Sequence, residues 1–266
     1  MKSILKQIIK AKKAEIALLK KKIPLAVLKV KAGLKIKNAE DQPRDFLSAI
    51  GKPKKINCIG ELKIASPSKG YLRKNLDLVK TALLYQDSGI AAISVLTDKH
   101  FKGKLTDLKK VKAAVRIPVL RKDFLIDIYQ VYEAYLAGAD AVLLIAAILS
   151  AKQLKLMLDL AHGLKMNAIV EVHDLQDIEK LDMRQARIVG INNRNLNTFA
   201  LDLKTTECLI KKIPKTKIVI SESGIFNRSD MVYLKKQGVN CVLIGEGIVT
   251  AADMGLQIKT LLGKRK

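Results

Sequence analysis

The sequence contains no tryptophan, and aromatic residues make up only 4% of its 266 residues. Its three cysteines, Cys58, Cys208 and Cys241, form no Cys-x-x-Cys pair, which favours buried structural thiols over disulfides, metal ligands or nucleophiles. The three histidines lack metal-ligand spacing, so no metal is expected. The longest apolar run, 139–149, contains Asp140 and is too short to span a bilayer. Because the N-terminus lacks the features of a signal peptide, we expect a cytoplasmic protein with no membrane partner.

Acidic residues are scarce relative to basic ones, with 25 Asp and Glu against 49 Lys and Arg, which gives a net charge of +24. An excess of this kind is found in nucleic-acid-binding proteins and in proteins that act on anionic substrates. The lysines are spread along the whole chain, and no basic stretch is interleaved with aromatic residues for base stacking. We interpret the charge as a solvated surface that weakly steers anionic substrates, and we expect no nucleic-acid partner.

The N-terminal region is predicted to be helical. Apolar residues recur near a 3.6-residue period over 2–22, and lysines fill the opposite face. A basic amphipathic helix can lie on a membrane or on nucleic acid, but it more often packs on its own domain, which is the interpretation we prefer. Pro24 ends this segment, and a short second helix is predicted from Pro43 to Ile50. Residues 1–50 are thus predicted to form an N-terminal helical extension.

From residue 56 onward, short apolar runs alternate with longer amphipathic segments. The runs are 56–62, 91–96, 118–120, 141–145, 168–172, 188–191, 217–220 and 241–244. The segments are 77–88, 105–114, 129–137, 151–162, 175–181, 204–212, 229–236 and 252–262. Apolar runs that alternate with helices predict a parallel sheet, and eight such units predict closure into a (β/α)₈ TIM barrel. No Gly-rich dinucleotide loop follows the first run, which argues against an open sheet. We therefore predict a single domain over 1–266.

The first apolar run ends in Glu61 and Lys63, which are two residues apart and so point to the same side of an extended chain. The following Ser-Pro-Ser-Lys-Gly, 66–70, breaks the strand into a polar loop. Taken alone, this stretch fits a surface ion pair as well as it fits a functional site. The other units resolve the choice, because they repeat the pattern.

The active site of a TIM barrel lies at the C-terminal ends of its strands. Further charged or amide residues stand there in this chain, namely Lys122, Glu171, Asn192 and Arg194. Lysines near glutamates at a partly buried mouth can serve as acid and base partners with tuned pKa values. Small residues follow the last two runs, where many barrels bind phosphate through backbone N–H groups. They are Ser223, Gly224, Gly245 and Gly247.

Several stretches resemble the indole-3-glycerol phosphate synthase family of the tryptophan pathway. They are Glu-Leu-Lys-Ile-Ala-Ser-Pro-Ser-Lys-Gly (61–70), Ile-Ser-Val-Leu-Thr-Asp (93–98), Leu-Arg-Lys-Asp-Phe-Leu-Ile-Asp (120–127), Val-Gly-Ile-Asn-Asn-Arg-Asn-Leu (189–196), Ile-Ser-Glu-Ser-Gly-Ile (220–225) and Leu-Ile-Gly-Glu (243–246). A different phosphate-binding barrel, such as an isomerase of a phosphorylated ribulose derivative, would share the last two units. It would not need Glu61, Lys63, Lys122 and Glu171 together.

The resemblance implies a carboxy-lyase that needs no cofactor or metal and acts, as a monomer, on a phosphorylated small molecule. In the family's pattern Lys122 is the general acid and Glu171 is the general base. Lys63 contacts the substrate carboxylate or shares in the acid work, and Glu61 lies beside the base. Asn192 completes the catalytic set. The resemblance also implies a set of substrate-binding residues, which are Ser66, Phe124, Leu143, Arg194, Ser223, Gly224, Gly245, Glu246 and Gly247.

Overall fold

Eight parallel strands close into a barrel in the computed structural model, which describes residues 3–53, 55–66, 70–195 and 198–264. The strands are β1 (Asn57–Leu62), β2 (Ala92–Leu96), β3 (Val119–Lys122), β4 (Ala141–Ile145), β5 (Asn167–Val172), β6 (Ile188–Asn192), β7 (Ile218–Glu222) and β8 (Cys241–Ile244). Each strand pairs with its neighbour in the chain, and β8 pairs with β1. The predicted (β/α)₈ barrel is therefore confirmed.

Two strands extend two residues further at their C-terminal ends than the apolar pattern predicted, and β6 extends one residue further, to Asn192. β3 continues to Lys122, and β7 continues to Glu222. The strand pairing continues past the apolar residues, because Lys122 is in register with Leu96 and Glu222 is in register with Asn192. The backbone of these charged residues is therefore part of the sheet and not of a loop, which fixes the position of each Cα atom.

Helices separate the strands and cover the outside of the barrel. They are α1 (Ser3–Lys22), α2 (Leu25–Ile36), α3 (Phe46–Ile50), α4 (Leu78–Ser88), α5 (Leu105–Ala114), α6 (Ile128–Leu136), α7 (Ala151–Gly163), α8 (Leu175–Glu179), α9 (Lys204–Leu209), α10 (Arg228–Lys236), α11 (Glu246–Val249) and α12 (Met254–Leu262). Several of these helices are capped at the N-terminus by a side-chain oxygen that accepts a backbone N–H of the first turn. The capping residues include Asp77, Asp127, Ser150, Asn227 and Asp253.

The N-terminal extension contains a helix that the sequence pattern missed. Pro24 ends the predicted helical segment, but it also immediately precedes the second long helix, α2. Ile16 of α1 and Leu28 of α2 are buried in one cluster with Tyr129 of α6. The hydroxyl of Tyr129 donates to the carbonyl oxygen of Ile23 at 3.1 Å. The extension therefore packs its apolar side on α6 of its own barrel.

The short helix α3 begins at Phe46, so the predicted start at Pro43 is wrong. Asp45 caps it, because its carboxylate accepts the N–H of Ser48 at 2.9 Å. Phe46 and Ile50 are 0% exposed and pack against the interior residues of the strands. Asn57, at the start of β1, donates from Nδ2 to the carbonyl oxygen of Ile50 at 2.8 Å. This helix therefore closes the N-terminal end of the barrel and leaves the other end open.

The cysteine prediction is confirmed at two positions and wrong at the third. Cys58 and Cys241 are buried in β1 and β8, whereas Cys208 on α9 is exposed. Thr206 and Leu209 occupy the buried side of that helix, which turns Cys208 to solvent. Among the described residues, no helix combines the length and the apolar character needed to cross a membrane.

Candidate active site

Five polar side chains from five strands share the open end of the barrel. They are Glu61 of β1, Lys122 of β3, Glu171 of β5, Asn192 of β6 and Glu222 of β7. On most of these strands an apolar residue that packs in the barrel interior lies two positions earlier, as Leu120 does before Lys122 and Ile169 before Glu171. Side chains alternate along a strand, so the polar residues point inward above an apolar floor.

Lys122 lies between two carboxylates. Its Nζ is 3.7 Å from Oε2 of Glu61 and 3.9 Å from Oε2 of Glu171. Lys63 Nζ lies 3.7 Å from the other oxygen of Glu61, so Glu61 and Lys63 do leave the chain on the same side. Burial alone would lower the pKa of Lys122, but the surrounding carboxylates, Glu61 foremost, raise it above its usual value. Lys122 is therefore held as an ammonium at neutral pH.

Glu171 is held by an amide and an imidazole. Asn192 donates from Nδ2 to Oε1 of Glu171 at 3.2 Å, and Nε2 of His173 lies 3.1 Å from the same oxygen. Burial alone would raise the pKa of Glu171, but His173, Lys122 and Asn192 lower it below its usual value. The carboxylate is therefore ionised.

His173 is a site residue that sequence reasoning missed. Its Nδ1 lies 3.5 Å from Oδ2 of Asp177 while its Nε2 faces Glu171. Burial opposes the charged imidazole, but the two carboxylates outweigh it and raise the pKa of His173 to about 9. A usable signal was present, because Glu171 and His173 are two residues apart at a strand end, as Glu61 and Lys63 are.

Glu222 is the second residue that sequence reasoning did not select. It is 1% exposed, and within the described parts of the chain neither carboxylate oxygen has a hydrogen-bond partner. Burial and the nearby charge of Glu171 raise the pKa of Glu222 well above its usual value, although Lys122 opposes this. Gly190 on β6 leaves room for it, since a Cβ there would lie 2.3 Å from Oε1 of Glu222. The alternation Ile218, Ile220, Glu222 could have identified it as an inward-facing acid.

The loops after β7 and β8 form one wall of a small open cavity at this mouth. Ser223 and Gly224 have φ values of 67° and 77°, and Asn193 donates from Nδ2 to the carbonyl oxygen of Ser223 at 3.0 Å. A Cβ on Gly247 would lie 2.4 Å from the carbonyl oxygen of Ile225, so the two loops pack tightly. The cavity is lined by Glu61, Lys63, Lys122, Arg194, Glu222, Ser223, Gly224, Ile225, Phe226, Leu243, Ile244, Gly245, Glu246 and Gly247.

Gly245 has a role that the sequence did not reveal. A Cβ at this position would lie 2.5 Å from Oε1 of Glu61, which is closer than such a contact allows. The missing side chain thus makes space for the carboxylate that Lys63 and Lys122 share. Arg194, across the cavity, donates from Nη1 to the carbonyl oxygen of Phe199 at 3.3 Å, which orients its side chain.

Three predicted substrate-binding residues do not line the cavity. Leu143 is 1% exposed and lies one layer deeper than Glu171, because its register partner is Ile169 while Ile145 pairs with Glu171. Phe124 is half-buried, with its ring centroid 6.3 Å from that of Phe101.

Ser66 is the third of these residues. It is buried in a two-stranded hairpin after β1, made of Ala65–Ser66 and Gly70–Tyr71. Residues 67–69 of the predicted polar loop and Leu196 of the motif 189–196 lie outside the described residues.

Residues 5–261 match the sequence profile of the family described as indole-3-glycerol phosphate synthase. The chain belongs to the indole-3-glycerol phosphate synthase family. The enzyme of that name from Caldanaerobacter subterraneus subsp. tengcongensis is 50% identical over 206 residues, which cover 77% of this chain and 80% of the relative. The one from Campylobacter jejuni subsp. doylei is 46% identical over 222 residues, covering 83% and 86%. The one from Acetivibrio thermocellus is 46% identical over 219 residues, covering 82% and 84%.

Among solved structures, the chain is similar to tryptophan synthase from Pyrococcus furiosus. A mutant alpha-subunit superposes with a TM-score of 0.60 at 17% sequence identity, covering 79% of this chain and 99% of that chain. A chain of the tryptophan synthase complex gives a TM-score of 0.59 at 17% identity with the same coverage. At this identity the likeness supports the barrel fold alone.

Proposed function

We propose that this member of the indole-3-glycerol phosphate synthase family converts 1-(2-carboxyphenylamino)-1-deoxyribulose 5-phosphate into indole-3-glycerol phosphate, CO₂ and water. The observation that carries the assignment is the placement of Lys122 between Glu61 and Glu171 at the barrel mouth. A phosphate-binding isomerase barrel would need the loops after β7 and β8 but not this lysine between two carboxylates.

Ring closure begins when the aromatic carbon that bears the carboxylate attacks the ketone carbon. The ketone oxygen gains negative charge as the new carbon–carbon bond forms, and it takes a proton from the ammonium of Lys122. The ring nitrogen carries the compensating positive charge, which nearby carboxylates stabilise. Lys63 also lines the cavity, so its ammonium can hold the substrate carboxylate until that group leaves as CO₂.

Loss of CO₂ returns the bonding electrons to the ring, and loss of water completes the indole. The hydroxyl formed at the former ketone carbon leaves with a proton from an ammonium group. Glu171 takes a proton from the neighbouring carbon, so that the electrons of that C–H bond form the new double bond. Asn192 orients Glu171 for this step through its 3.2 Å hydrogen bond.

The phosphate of the substrate is assigned to the wall formed after β7 and β8. Ser223 and Gly224 line the cavity with left-handed φ values, a backbone conformation in which N–H groups can bind an anion. Gly245 and Gly247 also line it and carry no side chain that would block the phosphate. Arg194, on the same cavity, is assigned to the sugar hydroxyls. Glu246 lines it too, whereas Ser66, Phe124 and Leu143 are not among its lining residues and are assigned indirect roles in shaping it.

The decisive experiment incubates the purified protein with the carboxyphenylamino substrate and records the appearance of indole fluorescence. Turnover that inorganic phosphate inhibits competitively is the expected result. No turnover would refute the proposal, and turnover unaffected by phosphate would refute the phosphate site. The single-domain organisation, the monomeric state and the cytoplasmic location remain predictions. Size-exclusion chromatography with light scattering measures the molar mass in solution and so tests whether the protein is a monomer.

A further inference from the structure

Lys12 is a buried lysine in the middle of the N-terminal helix α1. Its side chain is 2% exposed, and its Nζ lies 2.8 Å from Oδ2 of Asp98 and 2.9 Å from Oδ1 of Asp123. Both aspartates are buried, one in the loop after β2 and the other directly after Lys122 at the end of β3. A single ammonium therefore joins the extension to two loops at the open end of the barrel.

The contact with Asp123 fixes the backbone that carries Lys122. Asp123 accepts the hydroxyl of Thr97 at 2.7 Å through Oδ2 and the N–H of Phe124 at 2.8 Å through Oδ1. The N–H of Thr97 in turn donates to the carbonyl oxygen of Lys122 at 3.0 Å. Asp123 thus connects the loops after β2 and β3 next to Lys122, and Lys12 holds Asp123 from outside the barrel.

The contact with Asp98 fixes a turn beside Lys63. Oδ1 of Asp98 accepts the N–H of His100 at 2.8 Å, and its backbone carbonyl accepts the N–H of Phe101 at 3.1 Å. The ring of Phe101 lies with its centroid 5.7 Å from Nζ of Lys63. A shift of Asp98 would therefore move the aromatic surface on which one of the two site lysines rests.

The charges of the two buried aspartates, Asp98 and Asp123, are matched by buried cations only when Lys12 is present. Two buried cations, Lys12 and Arg121, face two buried aspartates, and Arg121 Nη2 lies 3.0 Å from Oδ2 of Asp123. Around them, Glu15 lies 3.6 Å from Lys12, Glu133 lies 3.0 Å from Arg121, and His100 Nδ1 lies 2.8 Å from Asp98. Removing Lys12 would leave a buried carboxylate without its ammonium, and the loop would have to move to hydrate it.

We propose that Lys12 is a positioning residue of the active site, through which helix α1 holds the loops after β2 and β3 so that Lys122 and Lys63 face Glu61. Its catalytic consequence rests on the proposed function. Its structural consequence, the ordering of the two loops, is independent of the proposed function.

The test compares Lys12→Met with Lys20→Met as a matched control. Lys20 also ties α1 to the barrel, through a 2.6 Å ion pair with Asp127, the N-cap residue of α6, but it pairs with neither Asp98 nor Asp123. For Lys12→Met we expect a loss of kcat on the order of 10²-fold, the size that a misplacement of about 1 Å produces. KM should change little, because the phosphate wall is built from other strands. Lys12→Arg, which keeps the charge, should restore most of kcat, and Lys20→Met should leave kcat unchanged.

A second readout is independent of activity. Hydrogen exchange of peptides spanning 97–103 and 122–125, which exclude Asp127, should become about 10-fold faster or more in Lys12→Met and stay unchanged in Lys20→Met. If Lys12→Met does not fold, the double variant Lys12→Met/Asp98→Asn, which removes a buried charge of each sign, replaces it with the same expectations. Wild-type exchange in both loops, wild-type kcat in a folded variant, or equal losses in Lys20→Met would each overturn the inference. An inactive wild-type protein would refute the proposed function, and the exchange comparison would still decide the role of Lys12.

Discussion

Lys122 and Glu171 face each other across the barrel mouth, with Nζ and Oε2 3.9 Å apart, from strands that are separated by β4. On that intervening strand, the residue in register with Glu171 is the apolar Ile145. The lysine is held charged by carboxylates and the glutamate is held charged by His173 and Lys122. A charged ammonium and a charged carboxylate are thus held close together at the same opening, as the proposed acid–base ring closure requires.

Replacing Lys122 by Met should lower kcat by about 10²-fold or more, since it removes a positioned acid while keeping most of the side-chain volume. Glu171→Gln should also lower kcat, because an amide cannot accept the proton. For both variants, kcat is measured by indole fluorescence, and the thermal midpoint of unfolding is measured in parallel. Lys155→Met, on the exposed face of α7, is the control and should behave as wild type. Near-normal turnover with a reduced midpoint would mean that the pair only holds the barrel together.

His173 should make the stability of the fold depend on pH between about 6.5 and 9. Its pKa is raised from 6.5 to about 9, so its stabilising charge is fully present below 6.5 and is lost as the pH rises through 9. The difference in unfolding free energy between wild type and His173→Gln, from urea titrations, should therefore shrink from pH 6 to pH 10.

His162→Gln serves as the control for that measurement. Burial and Arg187 lower the pKa of His162, so wild type should gain stability relative to this variant as the pH rises towards 6.5. A constant difference for His173→Gln across the whole range would show that Glu171 and Asp177 do not hold a charged imidazole.

Glu222 should also make the stability of the fold fall as the pH rises, over a lower pH range than His173. Its pKa is raised above the ordinary 4.5, so the unfolded chain releases this proton first and stability falls as the pH rises from 4.5 to about 8. Glu222→Gln, which imitates the protonated acid, should gain stability relative to wild type over that interval in urea titrations. An unchanging difference would place the proton on another group of the cluster.

Gly245→Ala should reduce kcat more than it raises KM. The added methyl would lie 2.5 Å from Oε1 of Glu61 and displace the carboxylate that faces both site lysines. Gly33→Ala is the matched control, since no atom lies within 4 Å of its Cβ. Steady-state kinetics separate the effects: a rise in KM alone, with kcat unchanged, would assign Gly245 to phosphate binding only.

Much of the fold follows from periodicity along the chain. Apolar runs and amphipathic segments predicted all eight barrel strands and the helices between them, because burial on both faces of a parallel sheet is written locally in each run. Two-residue spacing placed Glu61 and Lys63 on one side, and the same rule applies to Glu171 with His173. Helix α2 escaped prediction because Pro24 predicts the end of one helix, although it also immediately precedes the next.

Closure of the barrel decided the rest. The pairing of Lys12 with Asp98 and Asp123, and the fit of Glu61 against Gly245, join residues that no local pattern connects. The ionisation of Glu222 likewise depends on how many carboxylates and ammonium groups converge within a few ångströms of it. Periodicity specifies which side of a strand a residue occupies, and it carries no distance between strands. Those distances, which set every charge interaction at the mouth, exist only once the barrel has closed.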